Sequence, residues 1–268
     1  MDIDDFIMNR DEPRLLIVAG AGISAESGVP TFRDAGGLWE GHDISKVCTI
    51  GSFMENYELV HEFYNSRRTA LKDIKPNYAH EQAVAMCHTY GKSKSMIITT
   101  NVDTLFEQCN HGDNVNIMHV HGNITDMIFD YGSDSEHVRN IGMNMHHPDI
   151  YMRKNSITKP GIVMFGECMR YDVGVKKAIY TDMDAVFSSL SSRDTVIVIG
   201  SSNTVVMFAE LCWASPAHSI NINLRENADN SNGMFTRNMY MSATAGMKMI
   251  DESSTVTTRM RSYKSDDE

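Results

Sequence analysis

The chain has 268 residues and 30.1 kDa, and its 42% hydrophobic residues supply a sizeable core, which excludes a chain that is disordered throughout. Its 24 Lys and Arg against 35 Asp and Glu give a formal net charge of -11, which argues against sequence-independent binding to nucleic acid or to anionic membranes. The N-terminal segment is acidic where a targeting peptide is basic, and the longest apolar run, Leu15 to Ile23, is too short to span a bilayer, so we expect a cytoplasmic protein.

Short β-branched runs, nearly all apolar on both faces, recur along the chain with longer mixed stretches between them. They predict strands over Leu15–Ala19, Met96–Thr100, Val115–Val120, Gly161–Phe165, Thr195–Ile199 and Ser219–Leu224. Helices are predicted over Met54–Lys72, Ala79–His88, Thr104–Gln108, Val175–Leu190 and Val205–Trp213. Such strands, joined by segments long enough for a crossover helix, are typical of a parallel sheet covered on both sides. We therefore expect an α/β fold with a Rossmann-like doubly wound parallel sheet.

Two irregular stretches interrupt this alternation. Residues 36–52 are rich in glycine, and residues 125–160 show no clear period. We expect both to belong to a small inserted second module, formed by about residues 36–75 and 125–160. The main domain then covers residues 14–250, and the polar segment 251–268 is expected to be a frayed tail.

The cysteines are five in number, widely scattered and without a CxxC pair: Cys48, Cys87, Cys109, Cys168 and Cys212. An odd number with this spacing favours reduced thiols over a disulfide framework or a zinc knuckle.

A glycine-rich turn follows the first predicted strand. It reads Gly20-Ala21-Gly22-Ile23-Ser24-Ala25, a G-x-G-x-x-A pattern. The first glycine of such a pattern permits a tight turn, the second lets the backbone approach a pyrophosphate, and a small third residue lets helix and strand pack closely. A purely structural glycine turn is the alternative interpretation of a lone match.

Three further features favour a nucleotide site. Gly200-Ser201-Ser202 follows another apolar strand, so a second loop of small residues is expected at the same edge of the sheet. Asn223 and Glu226 come at the end of the last predicted strand, where polar groups suit a ribose or adenine. Arg33 follows the first turn and suits phosphate charge.

The segment from Gly20 to Asp34, GAGISAESGVPTFRD, followed by Gly37-Leu-Trp39, resembles the signature opening of the sirtuin family of NAD-dependent protein deacylases. Five more blocks resemble family motifs in the same order. They are Thr99–Asp103, His119–Gly122, Lys159–Glu167, Ile199–Ser202 and Ile222–Leu224. The likeness covers roughly Leu15 to Arg225, and six ordered motifs are not explained by chance.

The resemblance implies that NAD is the cofactor and that it lies across the crevice of the sheet. The residues that it implies for binding NAD are Gly20, Ala21, Gly22, Ser24, Ala25, Phe32, Arg33, Thr100, Gly200, Ser201, Ser202 and Asn223. The nicotinamide is expected beside Ser24, Asn101 and Asp103, and a carboxylate at Asp103 suits a hydrogen bond from the carboxamide.

The same resemblance implies the reaction and its catalytic residues, His121, Asn101 and Asp103. In the family reaction, an acyl group leaves a lysine side chain, and the products are nicotinamide, O-acyl-ADP-ribose and free lysine. His121 is expected to act as general base on the ribose hydroxyls. An imidazole with an ordinary pKa near 6.5 suits that task because it is substantially neutral in the cytoplasm.

Substrate binding is implied at the block from Lys159 to Glu167. By resemblance, Val163, Phe165, Gly166 and Glu167 pair with the substrate backbone as an added strand and form the wall of the acyl-lysine channel. The expected partners are therefore acyl-lysine proteins or peptides, with neither nucleic acid nor membrane, and we expect a monomer.

Tyr64 and Arg67 narrow the substrate. Their i, i+3 spacing places both on one face of the predicted helix. In the desuccinylase-like branch of the sirtuins, a tyrosine and an arginine with this Y-x-x-R spacing hold the carboxylate of a succinyl or malonyl lysine. A guanidinium forms charge-assisted and bidentate bonds to a carboxylate, so the chemistry fits. A solvated helix face is the alternative interpretation.

Two positions depart from the family pattern near the expected site. Thr100 stands where the family has a glutamine that helps hold the nicotinamide ribose, and threonine is too short to reach as far. This change is compatible with lower activity and with simple NAD cleavage. Cys48 stands where the desuccinylase-like branch tends to have alanine, which predicts a modestly narrower acyl pocket.

The zinc cysteines of most sirtuins are missing. Residues 125–160 contain no cysteine, so tetrahedral thiolate zinc is excluded there. His137, His146 and His147 offer a histidine-rich alternative, although surface or packing roles suit them better. Apolar residues in that stretch instead predict a compact core, and we expect no metal.

Three functions stay open at the level of sequence. The first is an NAD-dependent lysine deacylase that favours acidic acyl groups and retains some deacetylase activity. The second is an NAD glycohydrolase or ADP-ribosyltransferase, which Thr100 motivates. The third is a non-catalytic sensor of NAD or acyl-lysine, against which the presence of His121, Asn101 and Asp103 argues.

Overall fold

A computed structural model of the protein describes residues 3–31, 38–39, 41–112, 114–143, 152–153, 156–167, 179–226 and 231–253. The expected NAD ligands Phe32 and Arg33 lie outside these ranges, as do His146, His147 and Cys168.

The helices of the described ranges are α1 (Ile3–Met8), α2 (Gly22–Ala25), α3 (Ile44–Val47), α4 (Tyr57–Leu71), α5 (Tyr78–Tyr90), α6 (Leu105–Cys109), α7 (Ile179–Ser189), α8 (Phe208–Ala214) and α9 (243–253). The strands are β1 (Leu15–Ala19), β2 (Leu38–Trp39), β3 (His42–Asp43), β4 (Ser95–Thr99), β5 (Asn116–His119), β6 (Gly122–Phe129), β7 (His137–Asn140), β8 (Met152–Arg153), β9 (Ser156–Ile157), β10 (Lys159–Ile162), β11 (Thr195–Ile199), β12 (His218–Asn223) and β13 (Arg237–Tyr240).

The main sheet has six parallel strands in the order β13-β12-β11-β1-β4-β5. From β1 the chain moves outward through β4 to β5, and from β11 it moves outward through β12 to β13 on the other side. The order therefore reverses between β1 and β11. In sheets of this kind, ligands bind in the crevice at the carboxyl ends of the strands on either side of the reversal. The expected doubly wound fold is confirmed.

Alternate residues of the main sheet pack against two helical layers. Every residue of β1 is buried: Leu16 and Val18 belong to the layer under α1, α7 and α8, while Leu15, Ile17 and Ala19 belong to the layer under α5, α6 and α9. This two-sided burial explains why the strands read as continuous apolar runs.

A smaller sheet lies apart from the main one and has the antiparallel order β10-β6-β7. The assignment of Gly161–Phe165 to the parallel sheet was wrong, because Lys159–Ile162 pairs antiparallel with β6. Residues 125–160 are also less irregular than predicted, since they hold the end of β6 and the strands β7, β8 and β9. An apolar run indicates burial but does not identify the partner strand.

Helices α3 and α4 pack on this smaller sheet and share its core. Val47, Phe53, Val60 and Phe63 cluster there with Ile124 of β6. From the stretch 125–160, the partly buried side chains of Tyr131 and Met143 also pack against this cluster.

The short elements α2, α3, β2, β3, β8 and β9, the strands β6 and β7 of the smaller sheet, and α1, β13 and α9 were not predicted. Strand β13 exposes Arg237 and Tyr240 and buries Met239 alone, so it lacks the apolar run that marked the other strands. Asp251 belongs to α9, where it accepts hydrogen bonds from Tyr78 Oη at 3.1 Å and Gln82 Nε2 at 3.0 Å. The expectation of a frayed tail is therefore wrong for residues 251–253, and residues 254–268 lie outside the described ranges.

A buried ion pair joins two segments that are 180 residues apart in the sequence. Arg14 precedes β1, and its Nη2 lies 2.8 Å from Asp194 Oδ2, which precedes β11. Arg14 also donates to Phe6 O at 2.9 Å and to Ser189 O at 2.5 Å. One guanidinium therefore connects α1, β1, α7 and β11.

Within the described ranges, no helix combines the length and apolarity that a membrane crossing requires. Cys48, Cys87, Cys109 and Cys212 are free thiols, as their spacing predicted.

Candidate active site

The two glycine-rich loops meet where the strand order reverses. Gly20 N donates to Ile199 O at 2.9 Å, and Gly22 N donates to Gly200 O at 3.0 Å. A Cβ atom at Gly22 would lie 2.7 Å from Gly200 Cα, and one at Gly20 would lie 2.6 Å from Gly200 O. Gly200 itself has a φ of +63°. The second glycine of the pattern was expected to face a pyrophosphate, but its immediate neighbour is the other loop.

Ser24 of α2 is buried at the centre of a polar cluster. Its Oγ donates to Asp103 Oδ2 at 2.9 Å and accepts from Asn101 Nδ2 at 3.1 Å. His80 Nε2 lies 3.3 Å from the same oxygen. A hydroxyl offers one donor and two acceptor positions, so these three contacts satisfy it fully. The structure thus brings together the residues expected beside the nicotinamide.

His80 of α5 was missed by the sequence analysis. Its Nδ1 accepts from Asn77 N at 3.3 Å in a capping box, which leaves the proton on Nε2 for Ser24. Burial lowers the pKa of His80 to about 4, so the ring is neutral near pH 7. The Asn77–His80 spacing predicts the start of a helix, but it does not predict that His80 contacts Ser24 of α2.

Asp103 and Asn101 follow β4 and are both buried. Burial raises the pKa of Asp103, while hydrogen bonds from Leu105 N and Ser24 and the charge of His119 oppose that rise. Asn101 Nδ2 also donates to Gly20 O at 3.2 Å. The side chains of both residues are therefore held against the loop after β1.

His121 lies between β5 and β6 and is half-buried. Its Nδ1 lies 3.1 Å from Thr100 O, and because a carbonyl only accepts, Nδ1 carries the proton. The lone pair of the neutral ring is then on Nε2. Burial lowers the pKa of His121, an effect that the Thr100 carbonyl partly offsets. The arrangement provides a neutral imidazole of defined tautomer, which is what a general base requires.

The loop after β11 contains further polar groups. Asn223 Nδ2 donates to Ser201 O at 2.9 Å, and Ser202 Oγ lies 2.8 Å from Thr204 Oγ1. Asn203 is buried with a φ of 55°, and both polar atoms of its side chain have no hydrogen-bond partner among the described residues. Buried amides are rarely left so, and a ligand hydroxyl or ring nitrogen would satisfy this one.

The remaining expected cofactor ligands also lie along this edge. Ala21 directly precedes α2, which Ala25 ends. Thr100 Oγ1 lies 3.4 Å from Ala19 O, a long contact within the backbone at the ends of β1 and β4.

The expected peptide-binding loop runs from Val163 to Glu167. Val163 N donates to His121 O at 3.0 Å, which connects this loop directly to the predicted general base. Phe165 pairs in parallel with Thr49, and its side chain is exposed. Gly166 follows with a φ of +74°.

A buried lysine holds the same loop in place through a hydrogen bond and an ion pair. Lys159 Nζ donates to Ile162 O at 2.5 Å and lies 3.0 Å from Glu167 Oε2. Glu167 Oε2 also accepts from Met164 N at 2.9 Å. The pair thereby sets the path of the backbone between β10 and Glu167.

Tyr64 and Arg67 belong to α4, and Tyr64 shares an apolar cluster with Met164 of this loop. Tyr64 is buried, and its Oη donates to Cys48 Sγ at 3.7 Å. The Arg67 guanidinium carbon lies 5.6 Å from the centre of the Phe63 ring, and burial lowers the pKa of Arg67.

Among the described residues, no three or more His, Cys, Asp or Glu side chains form a group that could hold a metal ion. His137 stacks on Phe129 with ring centres 5.6 Å apart, and its Nδ1 lies 2.9 Å from Ser135 O. These contacts agree with a packing role for this histidine.

Comparison with known proteins adds to this geometry. Residues 20–207 match the model of the Sir2 family. An NAD-dependent protein deacylase of Helicobacter hepaticus is 32% identical over 261 residues, which cover 90% of this chain and 96% of that protein. A protein of the same name from Vibrio parahaemolyticus is 35% identical over 254 residues, which cover 91% and 97% of the two chains.

Two solved structures that resemble this chain are also of Sir2 homologues. A mutant Sir2 homologue in complex with ADP-ribose is 25% identical, with a TM-score of 0.70 over 91% of this chain and 92% of its own. A Sir2 homologue in complex with NAD is 24% identical, with a TM-score of 0.71 over 91% of this chain and 89% of its own. At this low identity, the similarity shows a shared fold and no more.

Proposed function

This chain belongs to the Sir2 family, and from that premise we propose that it removes acyl groups from protein lysines in an NAD-dependent reaction, with succinyl and malonyl preferred over acetyl. The observation that carries the proposal is the cluster of Ser24, Asn101 and Asp103 at the reversal of strand order, with His121 and the peptide-binding loop beside it.

The residues present fit NAD. The buried amide of Asn203 offers a donor and an acceptor without partners among the described residues, which suits the polar edge of an adenosine. At the other end, the carboxylate of Asp103 suits the amide of a nicotinamide. When bound, NAD supplies a ribose carbon that becomes electrophilic as nicotinamide departs and that accepts the oxygen of the acyl group.

The chain contributes orientation and proton transfer. Asp103 accepts from the nicotinamide carboxamide, and its position is fixed by Ser24 and by Leu105 N. His121 takes a ribose hydroxyl proton on Nε2, while Nδ1–H stays on Thr100 O. Such general-base assistance contributes about 10²- to 10⁴-fold to a rate. The loop from Val163 aligns the acyl-lysine beside this histidine.

Tyr64 and Arg67 support the preference for acidic acyl groups. Arg67 supplies a cation whose partial burial strengthens its attraction for a carboxylate, and Tyr64 supplies a neutral hydroxyl beside Cys48. Cys48 adds volume next to that hydroxyl, so malonyl is expected to be accommodated at least as well as the longer succinyl.

The test compares acetyl-, malonyl- and succinyl-lysine peptides of one sequence with wild type and Arg67→Met. A charge-assisted hydrogen bond contributes about 1.5–3 kcal/mol, so kcat/KM on the acidic peptides is expected to fall about 10- to 100-fold, with little change on acetyl-lysine. The matched control is Lys72→Met, which removes an exposed cation at the end of the same helix. Equal losses on all three peptides would overturn the carboxylate preference.

A second candidate function is NAD cleavage without a peptide, as a glycohydrolase or ADP-ribosyltransferase. Thr100 favours it, since its hydroxyl lies against Ala19 O and does not extend into the crevice as a longer amide would. Nicotinamide release in the absence of acyl-peptide would support this function. Release coupled one-to-one to deacylation would support the deacylase.

A further inference from the structure

His119 ends β5 and is held at both ring nitrogens. Its Nδ1 lies 2.8 Å from Asn101 O, and its Nε2 lies 2.6 Å from Glu107 Oε1 of α6. The side chain of His119 exposes a tenth of its surface, while that of Glu107 exposes 39%. The contact therefore joins a nearly enclosed ring to a carboxylate that reaches solvent.

Both partners of this ring are acceptors. The backbone carbonyl of Asn101 has no proton to give, and an exposed carboxylate accepts at neutral pH. Each ring nitrogen must therefore donate, and a histidine that donates from both nitrogens is an imidazolium. The geometry alone thus assigns a positive charge to His119.

This charge lies next to the cluster around Ser24. His119 holds the backbone of Asn101, whose side chain donates to Ser24 and to Gly20 O. The charge of His119 also opposes the rise in the pKa of Asp103 that burial causes. The ring therefore acts on both residues that follow β4 in the site.

The charged groups around the ring also favour its protonated form. Burial disfavours the charged ring, but the hydrogen bond and charge of Glu107, the Asn101 carbonyl and the charge of Asp103 outweigh burial and raise the pKa of His119. The nearby His80 of α5 and His121 have lowered pKa values, so neither adds a competing cation near pH 7.

We infer that His119 is a positioning residue of the nicotinamide pocket: its doubly protonated ring, held by Glu107, fixes the backbone of Asn101 two residues before Asp103. The inference rests on the proposed function, since the pocket is the one assigned above to nicotinamide. It gives Glu107, which lies outside the crevice, an influence on catalysis through His119.

The inference predicts the alkaline limb of the pH profile. A raised pKa means that the charged ring is complete at low pH and is lost as pH rises through that value. Without the ring proton, one contact of His119 with Asn101 or Glu107 fails and Asp103 loses its neighbouring cation. NAD affinity and turnover are then expected to fall together at high pH.

Glu107→Gln tests this from α6; because the charge of Glu107 also raises the pKa of Asp103, the alkaline limb that follows His119 is the readout. The neutral amide removes the charge that stabilises the ring, so the alkaline limb of kcat/KM is expected to move about one unit to lower pH, as the loss of one charge-assisted hydrogen bond implies. Glu62→Gln, an exposed glutamate of α4, is the matched control and should leave the profile unchanged. The glutamine amide in His119→Gln is uncharged and can donate to only one of the two acceptors that face the ring. Calorimetry of this variant should therefore show weak NAD binding at every pH.

A second measurement separates the inference from the proposed function. Nitrogen chemical shifts of the His119 ring in the whole protein report its protonation directly and need no turnover. Two protonated nitrogens at pH 7, with a titration that Glu107→Gln lowers, would support the positioning role even if no peptide were deacylated. A neutral ring at pH 7, or an alkaline limb that ignores Glu107→Gln, would overturn it.

Discussion

The proton on His121 Nδ1 decides what this histidine does. Because Thr100 O accepts that proton, the basic lone pair is on Nε2, and burial favours the uncharged ring. The side chain of His121 is thus prepared to take a proton before any substrate arrives.

This arrangement predicts the acidic limb of the pH profile. A general base works when deprotonated, and the pKa of His121 lies below its ordinary value of 6.5, so turnover should persist below pH 6.5 and fall only as pH drops through the lowered value. Single-turnover rates with acyl-peptide between pH 5 and 7 measure this limb. A limb above pH 6.5 would contradict the assignment, and His121→Asn should abolish it together with most of the rate.

Some residues of the site can be predicted from the sequence, and others cannot. Ser24, Asn101, Asp103 and His121 stand in motifs, so their roles were predicted from the family resemblance; the side chains of the first three are in contact, and that of His121 contacts the backbone of Thr100. His80 reaches Ser24 only because α5 packs beside α2, and no local pattern encodes that contact.

At the scale of elements, the two glycine loops function as one unit. Gly20, Gly22 and Gly200 are in backbone contact, so the loops after β1 and β11 cannot move apart without breaking the hydrogen bond from Gly22 N to Gly200 O.

Gly22→Ala should therefore disturb both loops. The new Cβ would lie 2.7 Å from Gly200 Cα, and overpacking of this kind costs about 1–3 kcal/mol. We expect the free energy of unfolding in urea to fall by about that amount and NAD affinity to fall with it. Gly51→Ala is the control, because nothing lies within 4 Å of its Cβ position. A Gly22→Ala variant as stable as wild type would contradict the close contact.

The sequence predicted which segments are strands better than it predicted their partners. Five apolar runs lie in the parallel sheet, as expected, because burial on both faces leaves a clear pattern. Gly161–Phe165 gave the same pattern and yet the described strand there, β10, pairs with β6, while β13 escaped notice because its residues are mostly polar. Pairing depends on distant residues that a local pattern does not contain.

At the scale of the whole molecule, Arg14 and Asp194 connect segments 180 residues apart. Neither residue belongs to a motif, and the sequence analysis assigned neither a role. The pair is buried, and each of its charged groups has several hydrogen-bond partners. If one charged group is removed, the other stays buried without its counter-charge and without contact with water.

Arg14→Met should therefore be severely destabilising. Removing one member of a buried pair costs about 3–5 kcal/mol, because an uncompensated charge stays behind. Lys94→Met is the control: it breaks an exposed pair with Glu12, which should cost less than about 1 kcal/mol. Urea unfolding measures both, and similar losses in the two variants would contradict the distinction.

Lys159 has a chemical consequence for a protein whose proposed substrates are modified lysines. Its amine is fully enclosed and bonded to Ile162 O and Glu167, whereas Lys72 is exposed. Spontaneous acylation by activated thioesters requires an accessible nucleophile, so in the native state this side chain is shielded from such damage. The loop proposed to bind the peptide is consequently supported by a lysine that metabolic acyl donors do not reach.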